Sequence, residues 1–183
     1  MVVGAQYTDS PVGPYLELAV GEPARLGARP GLCMTTMVVN VPAARVGGVV
    51  NWGFPKELGT LRWSVDGDER SLRWEEGDVV VRGRTTGVPL PVLVPLRAVQ
   101  HRSDGPVVVP ASILGTARIG RVQVDVANDG PFADLAGPHP GAFVAGMRFN
   151  VDPARVPAGL TSTLRAPLTA PEGALTSAAQ SGA

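Results

Sequence analysis

The sequence has 183 residues, with sixteen basic and sixteen acidic side chains and a formal net charge of zero. Its length suits one domain, and the lack of a basic excess argues against nucleic acid or an anionic membrane surface as a partner. Because no run approaches the roughly 20 apolar residues of a membrane span and the N-terminus does not resemble a signal peptide, we expect a cytoplasmic protein.

Short alternating or β-branched segments, interrupted by 23 glycines and 18 prolines, predict strands and almost no helix. In chain order the predicted strands span residues 15–20, 32–41, 58–65, 71–75, 78–84, 88–99, 121–126 and 143–151. A hairpin turn is predicted at residues 66–69, with Gly67 at positive φ, and a short helical turn at residues 132–135. Three prolines, Pro89, Pro91 and Pro95, should restrict their strand to edge or bulged pairing.

Many short strands at close spacing predict an all-β fold with few short helices, an antiparallel β-barrel that is closed or nearly closed. We expect residues 1–152 to form this domain. Residues 153–183 are rich in Ala, Pro, Ser and Thr. Because such a segment buries too little apolar surface to offset its ordering entropy, we predict a largely disordered tail.

Lysine use is the most informative feature of the composition. Fifteen of the sixteen basic residues are arginine, and the only lysine is Lys56. An arginine side chain is effectively never deprotonated, whereas a desolvated lysine amine can lose its proton and act as a nucleophile. A position that stays lysine in an arginine-rich chain is therefore a candidate catalytic residue, although a surface lysine is the commoner outcome.

Two segments carry a family resemblance. The first is Asp9-Ser10-Pro11-Val12-Gly13-Pro14-Tyr15-Leu16-Glu17, and the second is Asn51-Trp52-Gly53-Phe54-Pro55-Lys56-Glu57-Leu58. Together they resemble the acetoacetate decarboxylase superfamily, whose members carry a Ser-Pro-Val-Gly-Pro-Tyr-x-Glu-like segment and then a Gly-Phe-Pro-Lys-like segment. The resemblance extends from about Tyr7 to Val65.

The resemblance implies a barrel of acetoacetate decarboxylase type and a Schiff-base lyase acting on a small keto acid. Lys56 would form the imine and Glu17 would orient it or handle a proton, so these two are the predicted catalytic residues. Tyr15, Trp52 and Phe54 would line the substrate pocket. A dry pocket lowers the pKa of a lysine amine, which must be neutral to attack a carbonyl.

The sequence departs from the family pattern at Glu57, where the decarboxylase has a second lysine, and few residues precede the first segment. Two alternatives therefore stay open: a degenerate, non-catalytic barrel that binds a small hydrophobic ligand, and an aldolase or dehydratase using the same enamine. We expect no cofactor and no metal, since His101 and His139 are isolated and Cys33 is the only cysteine. The expected partners are a small-molecule keto acid and further copies of the chain in a homo-oligomer.

Overall fold

The computed structural model describes residues 1–157, which form ten strands, one α-helix and one short 3-10 turn. The helix α1 spans Pro42–Trp52, and the 3-10 turn spans Ala133–Leu135. The strands are β1 (Val2–Tyr7), β2 (Tyr15–Leu26), β3 (Arg29–Val39), β4 (Lys56–Leu58), β5 (Leu61–Asp66), β6 (Glu69–Trp74), β7 (Val79–Arg84), β8 (Pro89–Arg102), β9 (Gly105–Asp125) and β10 (Gly137–Val151).

All ten strands belong to one sheet, in the order β1-β2-β3-β8-β9-β7-β6-β5, with β10 also paired to β9 and β4 to β3. Within residues 1–157 no hydrogen-bonded pair joins β1 to β5, so the sheet is not closed. The prediction of an all-β fold is confirmed, whereas a closed barrel is not. The sheet is also not purely antiparallel, because β3 runs parallel to β4 and to β8.

The sheet curls so that its two ends pack face to face instead of pairing edge to edge. Leu18 of β2 and Val38 of β3 lie in one buried cluster with Leu72 of β6 and Val81 of β7. A Cβ on Gly4 of β1 would lie 3.2 Å from the Cβ of Leu72, so β1 lies directly against β6. Side-chain packing therefore replaces the hydrogen bonds that would close a barrel.

A second buried cluster lies on the opposite face of β2 and β3. It contains Ala19, Met37, Phe54, Val107 and Val109, with Trp52 and Ala98 packed against it. This arrangement follows from the period-2 alternation of β2, which sends Leu18 to one cluster and Ala19 to the other. Helix α1 contributes to this second cluster through Trp52, at its last position.

Helix α1 was not predicted from the sequence, because two adjacent glycines and several valines are poor helix formers. Pro42 lies in its first turn, where its missing N–H costs no hydrogen bond and its fixed φ suits a helix. Gly53 ends the helix at a φ of 68°, a left-handed conformation that glycine adopts without strain. The helix connects β3 to the parallel strand β4, and its packing on the sheet compensates for its weak intrinsic propensity.

The predicted strands and turns are largely confirmed, but several strands are much longer than the sequence pattern indicated. The predicted strands 121–126 and 143–151 are the ends of β9 and β10. Gly67 has a φ of 53° in the β5–β6 hairpin, as predicted. The proline-rich part of β8 pairs only with β9, which confirms its edge position.

Residues just beyond the predicted domain boundary still contact the sheet. Arg155 pairs with Val108 through two backbone hydrogen bonds of 2.8 and 2.9 Å. The remainder of the predicted disordered tail, residues 158–183, lies outside the described residues. The only helix of the described part is too short to cross a membrane.

Candidate functional site

Lys56 is held at the start of β4, directly after the segment that follows helix α1. Its register partner is Met37 of β3, a member of the second buried cluster. The side chain of Lys56 is only 7% exposed. Glu57, the next residue, is exposed, because successive strand residues point to opposite sides. The departure from the family pattern at Glu57 therefore lies outside the buried site.

Glu17 meets Lys56 from β2. In the antiparallel pairing Glu17 lies opposite Ala5 of β1 and Val39 of β3. Val39 and Met37 are two residues apart in β3, so the side chain of Glu17 is on the same face of the sheet as that of Met37. The Lys56 Nζ lies 2.5 Å from Glu17 Oε2, and the Glu17 side chain is also 7% exposed. The two predicted catalytic residues, 39 positions apart in sequence, thus form a buried, hydrogen-bonded ion pair.

Tyr15 lies beside this pair and stacks on a second tyrosine. The Lys56 Nζ is 5.6 Å from the centroid of the Tyr15 ring, a cation–π distance. The rings of Tyr7 and Tyr15 stack with centroids 4.5 Å apart and planes inclined by 23°. These are the only two tyrosines of the chain. The sequence analysis identified Tyr15 but missed Tyr7. Tyr7 is two residues after Ala5 in β1, and this spacing would have placed both side chains on one face of a strand.

Burial and a buried charge both act on these phenols. The pKa of Tyr7 lies well above the ordinary value of 10.0, first because of burial and then because the nearby Glu17 carboxylate disfavours a phenolate. The pKa of Tyr15 is also raised, with the same two causes in the same order. Both phenols therefore remain protonated hydrogen-bond donors throughout the neutral pH range.

Trp52 and Phe54 pack in the second buried cluster, which contains the register partner of Lys56. Their rings are 6.0 Å apart, and both pack in the second buried cluster with Met37. The Trp52 Nε1–H donates to the carbonyl oxygen of Asp152 at 3.0 Å, which fixes the indole ring. Of the three predicted pocket residues, Trp52 and Phe54 therefore belong to the cluster that contains Met37, and Tyr15 lies beside the Lys56 amine.

Arginine side chains can hold a substrate carboxylate through two parallel hydrogen bonds, but Arg97, Arg118 and Arg148 lie elsewhere on the sheet. Arg97 is exposed on β8, on the face opposite to Ala98, which packs in the second cluster. Arg148 pairs with the exposed Leu114 of β9. Arg118 lines a cleft of about 430 Å³ formed by β7, β9 and β10, which contains neither Lys56 nor Glu17. These three arginines are therefore not part of the buried pair.

Besides Lys56 and Glu17, the buried polar residue of the described part is Gln100 of β8, which was not identified from the sequence. The sequence feature that could have indicated Gln100 is its place as a polar residue directly after the apolar segment 88–99. No group of three or more His, Cys, Asp or Glu side chains within residues 1–157 could hold a metal ion. The arrangement instead places a potential nucleophile, the Lys56 amine, within hydrogen-bond distance of a potential base, Glu17.

The chain is similar in sequence and in fold to proteins of one known family. The profile of the acetoacetate decarboxylase (ADC) family matches residues 1–113, whereas no curated protein sequence matches the chain. The crystal structure of acetoacetate decarboxylase from Legionella pneumophila has a TM-score of 0.58 to this chain at 21% identity, over 84% of this chain and 71% of that one.

Two further solved structures are more distant. An acetoacetate decarboxylase structure has a TM-score of 0.49 at 14% identity, over 80% of this chain and 71% of that one. The enduracididine biosynthesis enzyme MppR in complex with pyruvate has a TM-score of 0.46 at 16% identity, over 75% of this chain and 66% of that one. The family match covers more than half of the sequence and both segments of the predicted resemblance. The chain therefore belongs to the acetoacetate decarboxylase family.

Proposed function

We propose that the chain is a Schiff-base lyase that acts on a small keto acid through Lys56. The observation that carries this proposal is that the only lysine of the chain is buried and lies 2.5 Å from a buried glutamate. A lysine kept for its charge alone would normally lie in solvent. Membership in the acetoacetate decarboxylase family supports the same chemistry.

In the proposed reaction, the neutral Lys56 amine attacks the ketone carbon, and loss of water forms a protonated imine. The imine accepts the electron pair of the bond between the α-carbon and the carboxylate, so carbon dioxide leaves and an enamine forms. The enamine carbon then takes up a proton, and water hydrolyses the resulting imine to release a ketone and the free amine. No external oxidant or reductant is needed, because the imine stores the electron pair and returns it to carbon.

Glu17 is proposed to move protons at Lys56. At 2.5 Å from Nζ, its carboxylate can accept the ammonium proton, which leaves a neutral amine next to a neutral carboxylic acid. The same acid can later supply a proton when water leaves or when the enamine is protonated. The apolar surroundings, which include Phe54 and Met37, support this exchange because they disfavour a separated pair of charges.

Aldolase and dehydratase reactions are variants of this proposal, since the same enamine supports them. A non-catalytic barrel that binds a small hydrophobic ligand is the alternative from a different class. The observation that favours the alternative is that the Lys56 amine already has a close partner, so a substrate must compete with Glu17. The two proposals differ in whether a covalent imine forms.

Borohydride trapping tests this difference. The protein is incubated with acetoacetate or pyruvate, reduced with borohydride and mapped by mass spectrometry. We expect a mass increase on the peptide that contains Lys56, and the N-terminal amine serves as the internal reference for non-specific reaction. Lys56→Arg should abolish the trapped product, because guanidinium stays charged and cannot attack a carbonyl. Absence of trapping across a panel of keto acids would favour the binding protein.

We further propose that the protein is a homo-oligomer. Leu93 of β8 and Leu114 of β9 are cross-strand partners on one face of the sheet, and both are exposed. Contiguous exposed apolar residues on a sheet are typical of surfaces that associate. A second copy of the same chain would cover this surface with side chains of the same character.

A further inference from the structure

Within residues 1–157 three polar or charged residues are buried, namely Glu17, Lys56 and Gln100. Glu17 and Lys56 bind each other, but the Nε2 of Gln100 has no hydrogen-bond partner. Gln100 is only 6% exposed, so bulk solvent does not satisfy this donor. A buried amide without a partner is costly to keep, and such a group often marks a functional site.

The strand register directs Gln100 toward the same cluster that surrounds Lys56. Gln100 of β8 lies opposite Val107 of β9, so the two side chains lie on the same face of the sheet. Val107 is fully buried in the second cluster, in which Met37 also lies. Met37 is the register partner of Lys56. Gln100 and Lys56 are therefore both on the wall of this cluster.

The two side chains also lie at nearby levels of the sheet. Leu32 of β3 pairs in parallel with Ala98 of β8, so Gln100, two residues later, is level with Met34. Lys56 is level with Met37, its register partner. Met34 lies opposite Gly21 of β2 and Met37 lies opposite Ala19, and these two β2 residues are two positions apart. Two strand residues span about 7 Å. The levels of Lys56 and Gln100 therefore differ by about 7 Å along the strands, a distance that the two side chains and a small keto acid between them can span.

Helix α1 covers both positions. A Cβ on Gly48 would lie 2.7 Å from the Cε of Lys56. A Cβ on Gly53, at the end of the same helix, would lie 2.8 Å from the carbonyl oxygen of His101, the residue after Gln100. One helix therefore packs closely against the lysine and against the strand that carries Gln100.

We propose that Gln100 is the substrate-anchoring residue, whose Nε2–H donates a hydrogen bond to the carboxylate of the keto acid held at Lys56. This inference rests on the proposed function. The missing partner of Nε2 is an acceptor, and a carboxylate oxygen is a strong one. A neutral amide also suits a decarboxylation, because a cationic arginine would stabilise the ground-state carboxylate whose charge moves to the enamine in the transition state.

The test compares acetoacetate with acetone, which has the same methyl ketone but no carboxylate. Imine formation is measured by borohydride trapping over a range of ligand concentrations, in the wild type, in Gln100→Met and in the control variant Gln123→Met. Gln123 lies on β9, is half-buried and bonds Asp125, so it lies outside the Lys56 cluster. We expect Gln100→Met to raise the half-saturating acetoacetate concentration about tenfold or more, which is the effect of losing a hydrogen bond to a charged group.

Trapping with acetone should stay within about twofold of the wild type, since that ligand does not use the amide. Gln123→Met should leave the trapping of both ligands unchanged. Equal losses for both ligands, or no loss for acetoacetate, would overturn the anchoring role. If Gln100→Met does not fold, Gln100→Asn tests the same point, because it keeps the donor but withdraws it by one methylene and should weaken acetoacetate alone.

A second measurement separates this inference from the proposed function. Butyrate has a carboxylate but no ketone, so it cannot form an imine. It should raise the melting temperature of the wild type and of Gln123→Met but not that of Gln100→Met. If the wild type traps no ketone, the lyase proposal fails, and the butyrate result still decides whether Gln100 binds a carboxylate. Equal butyrate stabilisation of wild type and Gln100→Met would overturn the inference.

Discussion

Gly48 of helix α1 lies directly on the side chain of Lys56. A Cβ at Gly48 would come within 2.7 Å of the lysine Cε and closer still to its Cδ. The helix can therefore approach β4 only because this position has no side chain. The neighbouring Gly47 has no such constraint, since its nearest atom would be the Asn51 Nδ2 at 4.0 Å.

Gly48→Ala should displace Lys56 and destabilise the protein by about 1–3 kcal/mol, the usual cost of overpacking a core. Displacement of the amine by about 1 Å should reduce imine trapping by up to about a hundredfold. Gly47→Ala is the matched control and should stabilise the helix by about 0.5–1 kcal/mol. Urea unfolding and borohydride trapping measure both effects. Similar behaviour of the two alanine variants would contradict the packing argument.

Removing one member of the buried ion pair should destabilise the protein more than removing both. Lys56→Met leaves Glu17 without its partner in an apolar site and should cost about 3–5 kcal/mol. The double variant Lys56→Met, Glu17→Leu should recover most of this loss, because no charge is then buried. Chemical denaturation of the two single variants and the double variant gives the coupling free energy. A coupling near zero would show that the pair is not formed.

Alkaline pH should unfold the protein through its two tyrosines. Their pKa values are raised in the folded state, so the folded protein holds these protons more tightly than the unfolded chain. The stabilisation is complete below the unfolded pKa of about 10 and is lost as the pH rises above it. Because Tyr7 and Tyr15 are the only tyrosines, tyrosinate absorbance reports on them alone.

We expect this absorbance to appear only with unfolding, well above the pH at which free tyrosine ionises. Tyr7→Phe should shift the alkaline unfolding midpoint to higher pH, because one proton-linked contribution is removed. Circular dichroism at each pH follows the unfolding. Titration of both phenols at the ordinary pKa in a folded protein would contradict the burial of this pair.

Leu93→Glu should dissociate the proposed homo-oligomer. The side chain is 69% exposed in the isolated chain, so the change should cost little in monomer stability while placing a charge on the associating surface. Val50→Glu on helix α1 is the control, since Val50 is 65% exposed but does not belong to the strands that carry Leu93 and Leu114. Sedimentation velocity at micromolar concentration measures the result. A wild-type monomer, or dissociation by both variants equally, would contradict the proposed surface.

Local sequence indicated most of the strands, and two short motifs, through their family resemblance, indicated the two proposed catalytic residues. The alternation around Glu17 separates its two faces, and Gly67 permits the predicted hairpin turn, because both effects depend on neighbouring residues only. Lys56 was recognisable because it is the only lysine and follows Gly-Phe-Pro. These features need no knowledge of which strands are neighbours.

The tertiary structure decided which residues meet. Helix α1 has a weak intrinsic helix propensity and forms because it packs on β4. The local sequence pattern of the helix does not contain this contact. Strand pairing places Tyr7 opposite Tyr15 and Gln100 opposite Val107, and a single sequence does not show which strands pair. The same long-range packing holds β1 against β6 without a closing hydrogen-bonded pair within residues 1–157. Contacts between distant segments depend on the whole sheet, so only the folded chain specifies them.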